Sequence, residues 1–124
     1  MAGPKHSCGV VGMYAENNVV PAIQKSLMII QHRGQESAGI SVFNSEGSID
    51  TVKDSGLVQT ALPKHMLTKL HGKVGIGHVR YPNEGRVNRS YAEPLMSTTR
   101  YGPLAIAHNG DITNFDLLKE KYLF

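Results

Sequence analysis

The chain has 124 residues, 40% of them hydrophobic and 19% charged, with 13 Lys and Arg against 10 Asp and Glu. That is the size and composition of one small globular domain, which excludes a two-domain enzyme within this chain, a coiled coil and a disordered chain. The net charge of +3 is mixed along the sequence with no block of like charge, so a basic nucleic-acid-binding segment is not expected.

In chain order, Cys8-Gly-Val-Val-Gly-Met-Tyr14 opens as a short strand-like run. Pro21 then starts a helical pattern with Val20, Ile23, Leu27 and Ile30 on one face. Gly34 follows its expected end near His32 or Arg33. Ser37 to Phe43 reads as a second strand, Asn44-Ser-Glu-Gly47 as a turn, and Ser48 to Lys53 as a third strand, so the pair predicts a hairpin. Pro63 to Leu70 predicts a short helix and Lys73 to Tyr81 a further strand. Residues 82–98 are polar and irregular and read as a long surface loop. Leu104 to His108 is a strand stopped by Asn109-Gly110, and Thr113 or Asn114 could cap a last helix carrying Phe115, Leu118 and Tyr122. Strands and helices do not alternate as in a βαβ chain, and the pattern is that of a layered α+β fold. The sequence stops at Phe124 inside a helical pattern without a stop signal, so a truncated unit is expected.

The single cysteine, Cys8, excludes an internal disulfide and a cysteine-built zinc site. Apolar stretches such as Leu27 to Ile30 and Leu104 to Ala107 are far too short for a bilayer, and no leader pattern opens the chain. A soluble, reducing, cytoplasmic setting is expected.

A lone cysteine is as a rule a small buried hydrophobe. Cys8, however, lies near the chain start, beside Gly9, which would let a ligand approach the backbone. If the chain were cut before Cys8, its own α-amine, titrating at about pH 8, would be a matched base for the thiol. Arg80 ends a strand, where a guanidinium could hold a carboxylate in bidentate fashion or simply form a surface ion pair. Asn109-Gly110 is a turn signal that can also offer a side-chain and a backbone N–H to a developing oxyanion. The histidines show no metal-ligand spacing, and His78 and His108 read as structural residues on strands.

Four motifs then occur in order: Cys8-Gly-Val-Val-Gly12, Gln31-His-Arg-Gly-Gln-Glu-Ser-Ala-Gly-Ile40, Gly75-Ile-Gly-His-Val-Arg-Tyr81 and Ala107-His-Asn-Gly110. Together they resemble the class II glutamine amidotransferases, and among these the amidophosphoribosyltransferase branch, with the Gln31–Ile40 stretch as the specific part. The resemblance implies an N-terminal-nucleophile hydrolase fold, an α/β/β/α four-layer sandwich only partly covered by this chain. It implies Met1 to Ser7 as a propeptide and residues 8–124 as a partial glutaminase domain. It further implies Cys8 as the nucleophile, Asn109 and Gly110 as the oxyanion hole, Arg80, Tyr81 and His108 as substrate-binding residues, and Arg33, Gly34 and Glu36 as structural support. The implied substrate is glutamine. Its ammonia would pass to phosphoribosyl pyrophosphate on a transferase domain outside this chain, the first committed step of purine synthesis. No metal or cofactor is implied in this segment; magnesium, and an iron–sulfur cluster where one is carried, would belong to the full-length enzyme. That enzyme would be a homo-oligomer with no nucleic-acid or membrane partner. Pro82-Asn83 stands where a hydroxyl-bearing pair is expected after Tyr81, and Asp111 would bring a carboxylate beside the oxyanion site. The alternative reading is an inactive glutaminase-like module acting at most in partner binding.

Overall fold

The computed structural model describes residues 8–81, 91–110 and 112–122. The propeptide expectation for Met1 to Ser7 and the readings of Pro82-Asn83 and Asp111 lie outside them. Among these residues, six strands and four helices follow in chain order: β1 Gly9–Tyr14, α1 Val20–Ile30, a 3-10 turn at Gln31–Arg33, β2 Ser37–Phe43, β3 Ile49–Ser55, α2 Val58–Ala61, α3 Lys64–Leu67, β4 Val74–Arg80, β5 Leu95–Thr99, β6 Gly102–Ile106 and α4 Phe115–Tyr122. They form a fully antiparallel sheet in the order β1-β4-β2-β3 and a separate β5-β6 hairpin.

The sheet's two faces follow from residue alternation. Val11 and Met13 of β1, Gly75, Gly77 and Val79 of β4, and Ala38, Ile40 and Val42 of β2 share one face through the strand register. Against it lies α1, whose Val20, Ile23 and Leu27 are buried at helical spacing. The helix comes unusually close because β4 has glycine beneath it: a Cβ at Gly77 would sit 2.6 Å from Ile23 Cγ2. Just before the helix, the Asn18 Oδ1 accepts from the Val20 amide and from the Gly72 amide across the loop. Val58, Ala61 and Leu62 at α2 complete this core layer.

The β2–β3 hairpin is turned by Asn44, whose Oδ1 accepts from the amides of Glu46 and Ser48, with Gly47 at φ 79°. The second face carries Ser37, Gly39 and Ser41 of β2, Thr51 and Lys53 of β3, and His78 and Arg80 of β4. The segment from Tyr91 to Met96 lies across it.

Two expectations are corrected. Of the surface loop expected over residues 82–98, positions 82–90 lie outside the described residues; in the rest, Ala92, Glu93 and Pro94 are buried and Leu95–Thr99 is a strand. Lys53 is the reason, since its Nζ donates to the carbonyls of Ala92 and Pro94 at 2.8 and 2.9 Å and ties the segment to the sheet. The strand expected at Leu104 to His108 runs instead over Gly102–Ile106, leaving His108 outside the ladder for other contacts.

Candidate active site

The candidate residues gather at one end of the large sheet because of its register. Gly9 pairs with Val79, so Cys8 and Arg80, one step beyond on β1 and β4, share that end. Ser37 pairs with Arg80 on the other side, which brings the chain before β2 to the same place. Arg33, Gly34 and Glu36 occupy that preceding turn. The Arg33 Nε donates to the Cys8 carbonyl at 3.2 Å. Gly34 packs flat on the end of β4, where a Cβ would lie 2.5 Å from the Arg80 carbonyl carbon. The Glu36 amide donates to the Arg80 carbonyl at 2.9 Å. All three residues therefore touch Cys8 or Arg80 directly.

Arg80 is held on two sides. Its Nε lies 3.4 Å from the buried Glu36 Oε2, an ion pair without hydrogen-bond geometry among the described residues. Its Nη1 donates to the Tyr91 carbonyl, and the guanidinium stacks over the Tyr91 ring at 5.3 Å. These contacts fix the plane of a group that has further N–H donors to offer. Tyr81 follows β4, partly buried.

Asn109 and Gly110 are exposed, with Gly110 at φ 143°. They join the same region through their neighbour His108, whose carbonyl accepts from His78 Nε2 at 2.9 Å. A carbonyl can only accept, so the His78 proton resides on Nε2. His78 is fully buried at the centre of the sheet. Burial holds its imidazole below the ordinary value, and the nearby Glu93 carboxylate offsets this only in part. Glu93 Oε2 lies 3.6 Å from the same Nε2, and Glu93 Oε1 accepts from the His108 amide at 2.9 Å, with the His108 ring Nδ1 at 3.2 Å. Of the two histidines read as structural, His78 makes buried contacts and the His108 ring is half-exposed.

Gly9 does not leave room for a ligand. It is buried, and a Cβ there would meet Ile30 Cδ1 at 2.7 Å, so the glycine accommodates α1. Sequence reasoning also passed over Glu93, Lys53 and Tyr91. The available signal was Ala92-Glu93-Pro94-Leu95, a charged residue set among apolar ones. Among the described residues no three His, Cys, Asp or Glu side chains group to hold a metal, and one cysteine cannot hold a cluster.

No family model matches the chain. Curated relatives do: it is 41% identical over 118 residues to an amidophosphoribosyltransferase of Synechocystis, covering 94% of this chain and 24% of that protein. It is 43% identical over 120 residues to one of Methanothermobacter thermautotrophicus, covering 94% of this chain and 25% of that protein. Among solved structures, the glutamine phosphoribosylpyrophosphate amidotransferase of B. subtilis, complexed with ADP and GMP, superposes with a TM-score of 0.78 at 32% identity over 93% of this chain and 24% of that one. A structure described as the allosteric regulatory enzyme of purine biosynthesis superposes with a TM-score of 0.82 at 33% identity and the same coverage. The chain is thus homologous, over nearly its whole length, to the N-terminal part of amidophosphoribosyltransferases, and it shares the fold of that part, which is an N-terminal-nucleophile hydrolase. It spans about a quarter of the length of these relatives.

Proposed function

We propose that this chain carries the glutaminase half-reaction of an amidophosphoribosyltransferase, with Cys8 as the nucleophile. Loss of Met1 to Ser7 would free the Cys8 α-amine, which takes the thiol proton as sulfur attacks the side-chain amide carbon of glutamine. The carbonyl oxygen becomes an oxyanion that accepts from the Asn109 side-chain amide and the Gly110 N–H. Collapse breaks the C–N bond. The departing ammonia takes its proton from the α-ammonium, and a glutamyl thioester remains for water to cleave to glutamate. Arg80 binds the α-carboxylate of glutamine with the N–H groups that Glu36 and Tyr91 do not occupy, and Tyr81 and His108 border the same pocket. Ammonia is consumed by displacement of pyrophosphate from phosphoribosyl pyrophosphate on polypeptide outside this chain.

The observation that supports this reading most is the sheet register that sets Cys8 and Arg80 at the same end, with Arg33 and Glu36 of the preceding turn in contact with them. Incubation with a diazo-ketone glutamine analogue, followed by intact mass, tests it. Loss of residues 1–7 and one label on Cys8 is the expected result, and Cys8→Ala should remove both the label and glutamine turnover without lowering the melting temperature. An unprocessed, unlabelled chain would favour the inactive, partner-binding alternative.

A further inference from the structure

The geometry points to Glu93 as a positioning residue that sets the oxyanion hole by gripping the backbone of His108, an inference that rests on the glutaminase reading. An oxyanion hole works only if its donors stand within a fraction of an ångström of their place before the charge develops. Yet Asn109 and Gly110 are exposed and lie beyond the β5-β6 ladder. Their placement must come from what precedes them.

His108 is held at both ends of its main chain. Its amide donates to Glu93 Oε1 at 2.9 Å, and its carbonyl accepts from His78 Nε2 at 2.9 Å. The carbonyl of His108 and the amide of Asn109 share one rigid peptide plane. Fixing the first therefore orients the second and the Cα from which the Asn109 side chain leaves.

Glu93 is itself packed into the sheet's second face. Its side chain is 7% exposed. Its main-chain carbonyl packs against β2 so closely that a Cβ at Gly39 would overlap it. The carbonyls before and after it are held by Lys53. The grip runs from β4 and the segment laid on the sheet, through one imidazole and one carboxylate, to a turn that lies outside both strand ladders among the described residues.

The test combines amide hydrogen exchange with glutamine turnover in the full chain. In the unaltered protein the His108 amide should be protected about a hundredfold, although its segment is exposed. Free exchange there would overturn the grip without any variant. Glu93→Ala should raise exchange at His108 and Gly110 about tenfold. It should lower kcat for glutamine about a hundredfold with a much smaller rise in KM, because Arg80 keeps its own contacts with Glu36 and Tyr91. Glu93→Gln retains an acceptor for the amide and should restore most of both readouts. Faster exchange with unchanged kcat would reject the positioning role, as would a proportional rise in KM. Absence of turnover in an unaltered, processed chain whose His108 amide is protected would reject the glutaminase reading, and with it any catalytic use of the grip. Turnover with an unprotected amide would reject the grip alone.

Discussion

Gly34 shows how much of the site depends on single atoms. Its φ of −160° is extended backbone open to any residue, so the glycine is needed for contact and not for conformation. A methyl group would press on the Arg80 backbone, which is fixed in the sheet between β1 and β2. Gly34→Ala should cost about 1–3 kcal/mol in urea denaturation and slow Cys8 labelling, because relief requires moving the end of β4. His78 gives a second residue-scale expectation. Burial lowers its folded-state pKa, so the unfolded chain binds the proton more readily. Its contribution to stability is whole above about pH 6.5 and is lost as pH falls below that value. The melting temperature should drop between pH 7 and pH 5 more steeply in the unaltered chain than in His78→Gln. Equal slopes would show that another group governs the fall. At this scale the sequence marks Cys8, Arg80 and Asn109-Gly110 as candidates, because their residue types and motifs stand out. Glu93 and Lys53 did not, because their meaning comes from partners that are distant in sequence, Lys53 with Ala92 and Pro94 and Glu93 with His78 and His108.

Elements were legible in proportion to their periodicity. The stripe of Val20, Ile23 and Leu27 announces α1, and Asn44 with Gly47 announces the β2–β3 hairpin. β5 escaped because every residue of Leu-Met-Ser-Thr-Thr is exposed, so no alternation marks its faces. α2 escaped because a single helical turn is too short to show a period. What ties β5 to the rest is the preceding Ala92-Glu93-Pro94 segment on the second face, together with Met96, whose sulfur lies 3.0 Å from Thr51 Oγ1 and 3.7 Å from Ser41 Oγ. Lys53→Met tests this attachment. It keeps the aliphatic stem and removes the donors to two carbonyls in a buried segment. Leaving those acceptors unpaired should destabilise the fold by about 2–3 kcal/mol, read from chemical denaturation. Proteolysis should then cut within residues 91–96 while sparing β1–β4. A variant as resistant as the parent would show that packing alone holds the segment.

The molecule as a whole has one sheet face covered and the other covered only in part. α1 and α2 close the first over a continuous core. On the second face the Tyr91–Met96 segment covers the β2 and β3 side, while Val10 and Tyr14 of β1, Val74 of β4 and Phe43 of β2 remain 43%, 69%, 46% and 50% exposed. Phe115, Leu117 and Tyr122 of α4 are exposed as well. Fully burying one such side chain is worth about 1.5–3 kcal/mol, so covering these half-exposed groups would recover several kcal/mol. That is of the order needed to offset the cost of associating two molecules. Contiguous apolar surface on an antiparallel sheet does not stay solvated when a second surface is within reach. The 124-residue chain in isolation should therefore self-associate at micromolar concentration, with sedimentation showing mass that rises with concentration and an apparent melting temperature that moves with it. Tyr14→Lys together with Phe43→Lys places like charges on that face, away from Cys8 and Arg80, and should shift the equilibrium to monomer without changing Cys8 labelling. A sharp, concentration-independent melt of a monomer would contradict the expectation and show that the second face is stable in water as it stands.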